Sequence, residues 1–178
     1  MSPAVENVAL FPIEVTRLAV TVNIPQAADI NWGDQAGVVL YSSDTEWVKL
    51  VLEGDKENKP RGSRMIVLAY MPANLDSVSQ GGEPFFQACV HQKWELGSEC
   101  PQSRRLQLEL RRAGERCTLI ASWDDNDVVE MDVPFEGARL GVMAHLNKEK
   151  TPFPREGWFH FSEFSGDRET AAAERVGR

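Results

Sequence analysis

Three residues of the stretch EWVKLVLE carry the most chemistry: Trp47, Lys49 and Glu53. Their spacing puts them on one side of a chain segment whose side chains alternate with a period of two. An indole face stacks on the C–H groups of a pyranose ring. An ammonium and a carboxylate beside it bond sugar hydroxyls. Gln35, one strand away, adds a donor and an acceptor, and His145 closes a later strand at a sheet edge, where it could line a cleft. Gln35, Trp47, Lys49, Glu53 and His145 are therefore the candidate ligand-binding set. The alternative is a solvated sheet face with a structural Lys–Glu pair.

Other constellations are weaker. Glu130, Asp132 and Glu136 share parity, as paired carboxylates on a glycosidase strand do. A retaining mechanism needs two carboxyls about 5–5.5 Å apart. Here the second interval is too long, and Pro134 interrupts the strand. Asp124, Asp125 and Asp127 form an acidic turn after Trp123 but lack the Asp-x-Asp-x-Asp-Gly spacing of a calcium loop. The cysteines, Cys89, Cys100 and Cys117, are odd in number and irregularly spaced, which favours reduced thiols over a disulfide framework. His91 and His160 lie in aromatic strand runs. No nucleophile triad, zinc spacing or glycine-rich phosphate loop is present in the sequence, so no catalytic residue, metal or cofactor is assigned.

The elements that must hold these residues are strands. Leu18, Val20, Val22 and Ile24 alternate with polar positions. Further strands are expected at 36–41, 46–53, 65–71, 85–94, 106–111, 117–123, 128–133, 140–146 and 158–164, about ten in all. In the third of these, Val48, Leu50 and Leu52 face one way, and Trp47, Lys49, Val51 and Glu53 the other. That second face reads as solvent-facing, which suits a sandwich with one open sheet surface. Short connections rich in Ser, Asp, Asn and Gly at 42–44, 113–115 and 124–127 read as antiparallel hairpins. The 54–64 and 72–84 stretches read as long loops. Only 167–175 (DRETAAAER) has a helical composition, and it is too short to be stable alone. The expected layout is one β domain over 1–166 and a tail over 167–178. Strands without crossover helices exclude α/β architectures and leave an all-β antiparallel sandwich or barrel.

Three segments in order carry a family resemblance: DQAGVVLYSSDTEWVKLVLE (34–53), LQLELRRAGERCTLIAS (106–122) and ARLGVMAH (138–145), closed by WFHFSEF. They resemble the "regulation of enolase"-type domain of unknown function, in the concanavalin A-like lectin/glucanase superfamily. The resemblance spans roughly 11–164. It implies a two-sheet jelly-roll sandwich and points toward sugar binding.

The chain has 178 residues, 27 acidic and 19 basic, for a net charge of −8. That balance argues against nucleic acid as a partner, which needs a basic face. No hydrophobic stretch reaches the length of a membrane span, and the N-terminus lacks a signal-peptide pattern, so a cytoplasmic protein is expected. The leading expectation is a non-catalytic module that binds carbohydrate. The alternatives are a glycoside hydrolase of the same superfamily and a protein-interaction domain whose open face docks on a partner or on a second copy in a homodimer.

Overall fold

A computed structural model describes residues 7–23, 33–43, 46–54, 64–71, 78–80, 83–85, 89–97, 103–113, 116–125, 127–133, 137–146 and 159–168. These form thirteen strands: β1 (Val8–Leu10), β2 (Val15–Asn23), β3 (Gln35–Ser43), β4 (Glu46–Gly54), β5 (Arg64–Met71), β6 (Val78–Gln80), β7 (Glu83–Phe85), β8 (Cys89–Gly97), β9 (Ser103–Ala113), β10 (Arg116–Trp123), β11 (Asp127–Asp132), β12 (Arg139–His145) and β13 (His160–Arg168). One antiparallel sheet has the order β1-β12-β3-β4-β5-β8, the second β11-β10-β9-β2-β13, and β6 and β7 pair by themselves. The molecule is an all-β, antiparallel, two-sheet sandwich.

Alternation builds the space between the sheets. Val38, Leu40, Leu50, Leu52, Ile66 and Leu68 of the six-stranded sheet meet Leu18, Val20, Val22, Leu106, Leu108 and Leu119 of the five-stranded one in a single buried cluster. Trp123 joins it, and half-buried Cys117 packs against its edge as a small apolar group. Each Leu here removes enough apolar surface from water to contribute about 1.5–3 kcal/mol.

The expected hairpins form between β3 and β4, β9 and β10, and β10 and β11. At the last, Asp124 and Asp125 take positive φ values of 47° and 62°, a conformation that Asp tolerates better than most residues. Asp124 also ties the turn to β9: its Oδ1 accepts the Arg105 backbone N–H at 3.1 Å, and its Oδ2 lies 3.2 Å from the Arg104 guanidinium. Its carboxylate is thus committed to holding a hairpin.

Some boundaries differ from expectation. The apolar stretch 85–94 is not one strand: Phe85 ends β7, and β8 begins only at Cys89. The polar stretch 72–84 contains the small β6–β7 pair, whose strands are separated in sequence by Gly81-Gly82, a hairpin composition. Asp167 and Arg168 close β13 rather than opening a tail, because Asp167 pairs with Arg17 of β2 at 3.1 Å. The remaining residues of the expected helical tail, 169–178, lie outside the described residues.

Candidate functional site

The registers decide which side chains share a face. In antiparallel sheets, directly paired residues point the same way. Gln35 pairs with Glu53 of β4 on one side and His145 of β12 on the other. His145, Gln35 and Glu53 therefore form a cross-strand row on the outer face of the six-stranded sheet, the face turned away from the main core. Lys49 stands on the same face, two pairs further along, and Trp47 follows opposite Tyr41 and Met71. The fold thus brings all five candidate residues to one sheet face.

That face is not solvated, contrary to the reading of β4 as half open. Trp47 is 1% exposed, and Val39, Val51, Met65, Val67, Ala69, Met71 and Met143 are all buried around it. These residues form a second apolar cluster on the reverse side of the sheet. The charged pair at Lys49 and Glu53 masked this in the sequence. The runs GVVL in β3 and MIVLAYM in β5 carried the missed signal, since strands buried on both faces read as continuous apolar stretches.

Lys49 sits half-buried within this setting. Its Nζ donates to Gln35 Oε1 at 2.6 Å and lies 5.1 Å from the centre of the Trp47 ring. The ring face attracts the cation by about 0.5–2 kcal/mol, more when water is excluded. Burial pushes the Lys49 pKa below its ordinary value of 10.5, and the Glu53 carboxylate partly opposes that shift. The Trp47 indole N–H is buried without a hydrogen-bond partner. An orphaned donor of this kind costs about 1–3 kcal/mol.

The motif Asp34-Gln35-Ala36-Gly37 gains a physical account here. Asp34 is buried, and its carbonyl accepts the Gly54 N–H at 3.0 Å, extending the β3–β4 ladder. Gln35 orients Lys49. Ala36 fills the main core. Gly37 lies where a Cβ would collide with the Leu50 carbonyl and the Val51 Cα. Sequence reasoning missed Tyr41, Met65, Met71 and Met143 as neighbours of the candidate set, because β12 and β5 join this face through pairings that a linear reading does not supply.

The other carboxylates lie elsewhere. Glu130 and Asp132 are exposed on β11, an edge strand of the five-stranded sheet, and Asp132 accepts the Thr118 hydroxyl at 3.3 Å. Glu136 is outside the described residues. So are the side chains of Trp32, Trp94 and Trp158. Among the described residues, no group of three His, Cys, Asp or Glu side chains could hold a metal ion.

The class defined by this geometry is a two-sheet β-sandwich with a partly buried polar cluster on the outer face of its larger sheet. No family model matches the chain, and no curated protein matches it. Solved structures do. A bifunctional GH43-CE protein from Bacteroides eggerthii superposes with a TM-score of 0.62 at 15% identity, over 93% of this chain and 19% of that one. A functionally unknown protein from Saccharomyces cerevisiae superposes with a TM-score of 0.53 at 15% identity, over 92% and 73%. A GH43 protein from Bacillus licheniformis gives 0.54 at 14% identity, over 90% and 29%. The chain spans less than a third of the length of these two GH43 proteins, and the likeness at these identities is one of fold.

Proposed function

We propose that the chain is a non-catalytic carbohydrate-binding module whose ligand seats on His145, Gln35, Glu53 and Lys49. One observation carries this reading: the β12–β3–β4 register lines up three polar side chains in a row, with the Lys49 ammonium held against the middle one. Trp47 supports that ammonium from its ring face. It does not offer the open stacking platform that its sequence position invites, since the indole is buried. The sequence resemblance to a lectin/glucanase-type domain supports a sugar ligand. So do the GH43 neighbours, one of which is a GH43 glycoside hydrolase engineered in its active site to display both endo-xylanase and exo-arabinofuranosidase activity.

Titration calorimetry with xylan- and arabinan-derived oligosaccharides tests the proposal. The native chain is expected to bind at least one of them. Gln35→Ala and Glu53→Gln should each weaken that binding about ten- to a hundredfold, as expected for a lost hydrogen bond involving a charged partner. Circular dichroism would establish that both variants fold. A native protein that binds nothing on a broad glycan array overturns the reading.

A further inference from the structure

We infer that Lys49 makes this site selective for acidic sugars, so that the ligand carries a carboxylate of the hexuronate class. The inference rests on the carbohydrate reading above and narrows it. Its basis is an imbalance of donors over acceptors. An ammonium has three N–H donors and no acceptor. Lys49 directs one donor at a neutral carbonyl oxygen, Gln35 Oε1, at 2.6 Å, and sets its charge over an uncharged ring. Among the described residues, no carboxylate lies within ion-pair distance of Lys49 Nζ. On the same face, Trp47 Nε1 is a buried donor without a hydrogen-bond partner. A native protein rarely leaves such groups without a purpose.

Among the residues whose side chains are described, the charged groups on this face besides Lys49 are Glu53, His145 and the exposed Arg139, the last standing opposite Tyr41 on β12. Glu53 lies in the row beyond Lys49, and His145 ends that row on β12. Lys93 and Glu95 of β8 occupy register positions opposite Val67 and Met65. The described face of β5 contributes Met65, Val67, Ala69 and Met71, all uncharged. Glu53 attracts this cation without forming an ion pair with it, and the two N–H donors left over by Gln35 are free for an incoming anion, whose bond to the ammonium is stronger than one to a neutral amide because both partners are ionised. The chain's net charge of −8 does not forbid this, since distant charges are screened over about 8 Å at physiological salt.

The experiment compares two ligands on the native chain by calorimetry: a xylo-oligosaccharide bearing one glucuronate branch, and the same backbone without it. The expected result is at least tenfold tighter binding of the acidic ligand. That preference should shrink between 50 and 500 mM NaCl, taken as about a threefold change in Debye length. Lys49→Met should collapse the ratio toward one, and Lys49→Arg should retain it. Equal affinities for the two ligands, or a preference insensitive to salt, overturn the inference and leave the carbohydrate reading standing. A preference that survives in folded Lys49→Met overturns the role given to Lys49. Binding of neither ligand by the folded native chain, nor of any neutral glycan, removes the reading on which the inference rests.

Discussion

Lys49 links folding to proton binding. Its burial lowers the pKa below 10.5 in the folded chain, so folding favours loss of the proton. Between the folded value and 10.5, the unfolded chain binds more protons, and stability rises with pH. Below the folded value, the desolvation penalty is present in full. Replacing Lys49 by Met removes the penalty and preserves the stem's packing, as buried charges are often replaced by apolar groups at little or no cost. Relative to the native chain, Lys49→Met should therefore be most favourable near neutral pH, and its advantage should shrink as pH climbs toward 10.5. Each unit of displaced pKa corresponds to about 1.4 kcal/mol. Urea melts of both proteins from pH 7 to 10 would measure it, and a difference independent of pH would contradict it. The sequence revealed that Trp47, Lys49 and Glu53 share a face, because a period of two needs no tertiary knowledge. It did not reveal that the Trp47 ring would hold the ammonium, since that depends on what else is packed around the indole.

At the scale of elements, close backbone approach governs the edge of the six-stranded sheet. β1 has three residues and reaches the sheet only through β12. Opposite Leu10 stands Gly141, where a Cβ would lie 2.5 Å from the Ala9 carbonyl oxygen and 2.8 Å from Leu10 Cδ2. Gly141→Ala must push β1 outward, at a cost of about 1–3 kcal/mol typical of overpacking. The expected signature is faster proteolysis near Ala9 with β12 still protected. A variant as protease-resistant as the native chain would show that β1 adjusts without detaching. On the same side of the sandwich, where Phe11 lies 6.1 Å from Phe164, the edge strand β13 of the other sheet is irregular. Glu163 has a φ of 51° within a bulge between Ser162 and Ser165. The Arg105 guanidinium fastens it, donating to the Glu163 carbonyl at 3.2 Å and to the Ser165 hydroxyl at 2.8 Å. Bulges discourage an edge strand from pairing with another chain. The hairpins were legible from their turn residues. β1 was not, because three residues carry too little periodicity, and the β12–β3 pairing was not, because nothing in residues 35 and 145 announces that they meet.

Across the whole molecule, the two sheets are built differently. The five-stranded sheet has one apolar face and one polar face, where Arg17 bridges Gln107 and Asp167, and Arg111 pairs with Glu109. Its alternation was plain in LQLELR, and the sandwich followed from many such strands without helices. The six-stranded sheet is apolar on both faces over β3, β4 and β5. That property was half hidden, because the Lys49–Glu53 interruption in β4 has the look of a wet surface. Arg64, charged yet wholly buried at the start of β5, belongs to the same interior. The solvent-exchange clock of the backbone should record this asymmetry. Amides at the centres of β3, β4 and β5 lie under side chains on both sides, so deuterium should enter them only when the entire chain unravels. Amides of β11 and β13, each hydrogen-bonded on one flank and partly wet, should exchange through local fraying many times faster. Hydrogen-exchange mass spectrometry would then set a slow plate, the centre of the six-stranded sheet, against the fast edges of the five-stranded one. The polar row, with Lys49 held against it, sits on the slow plate, which holds its geometry still while the edges of the opposite sheet breathe.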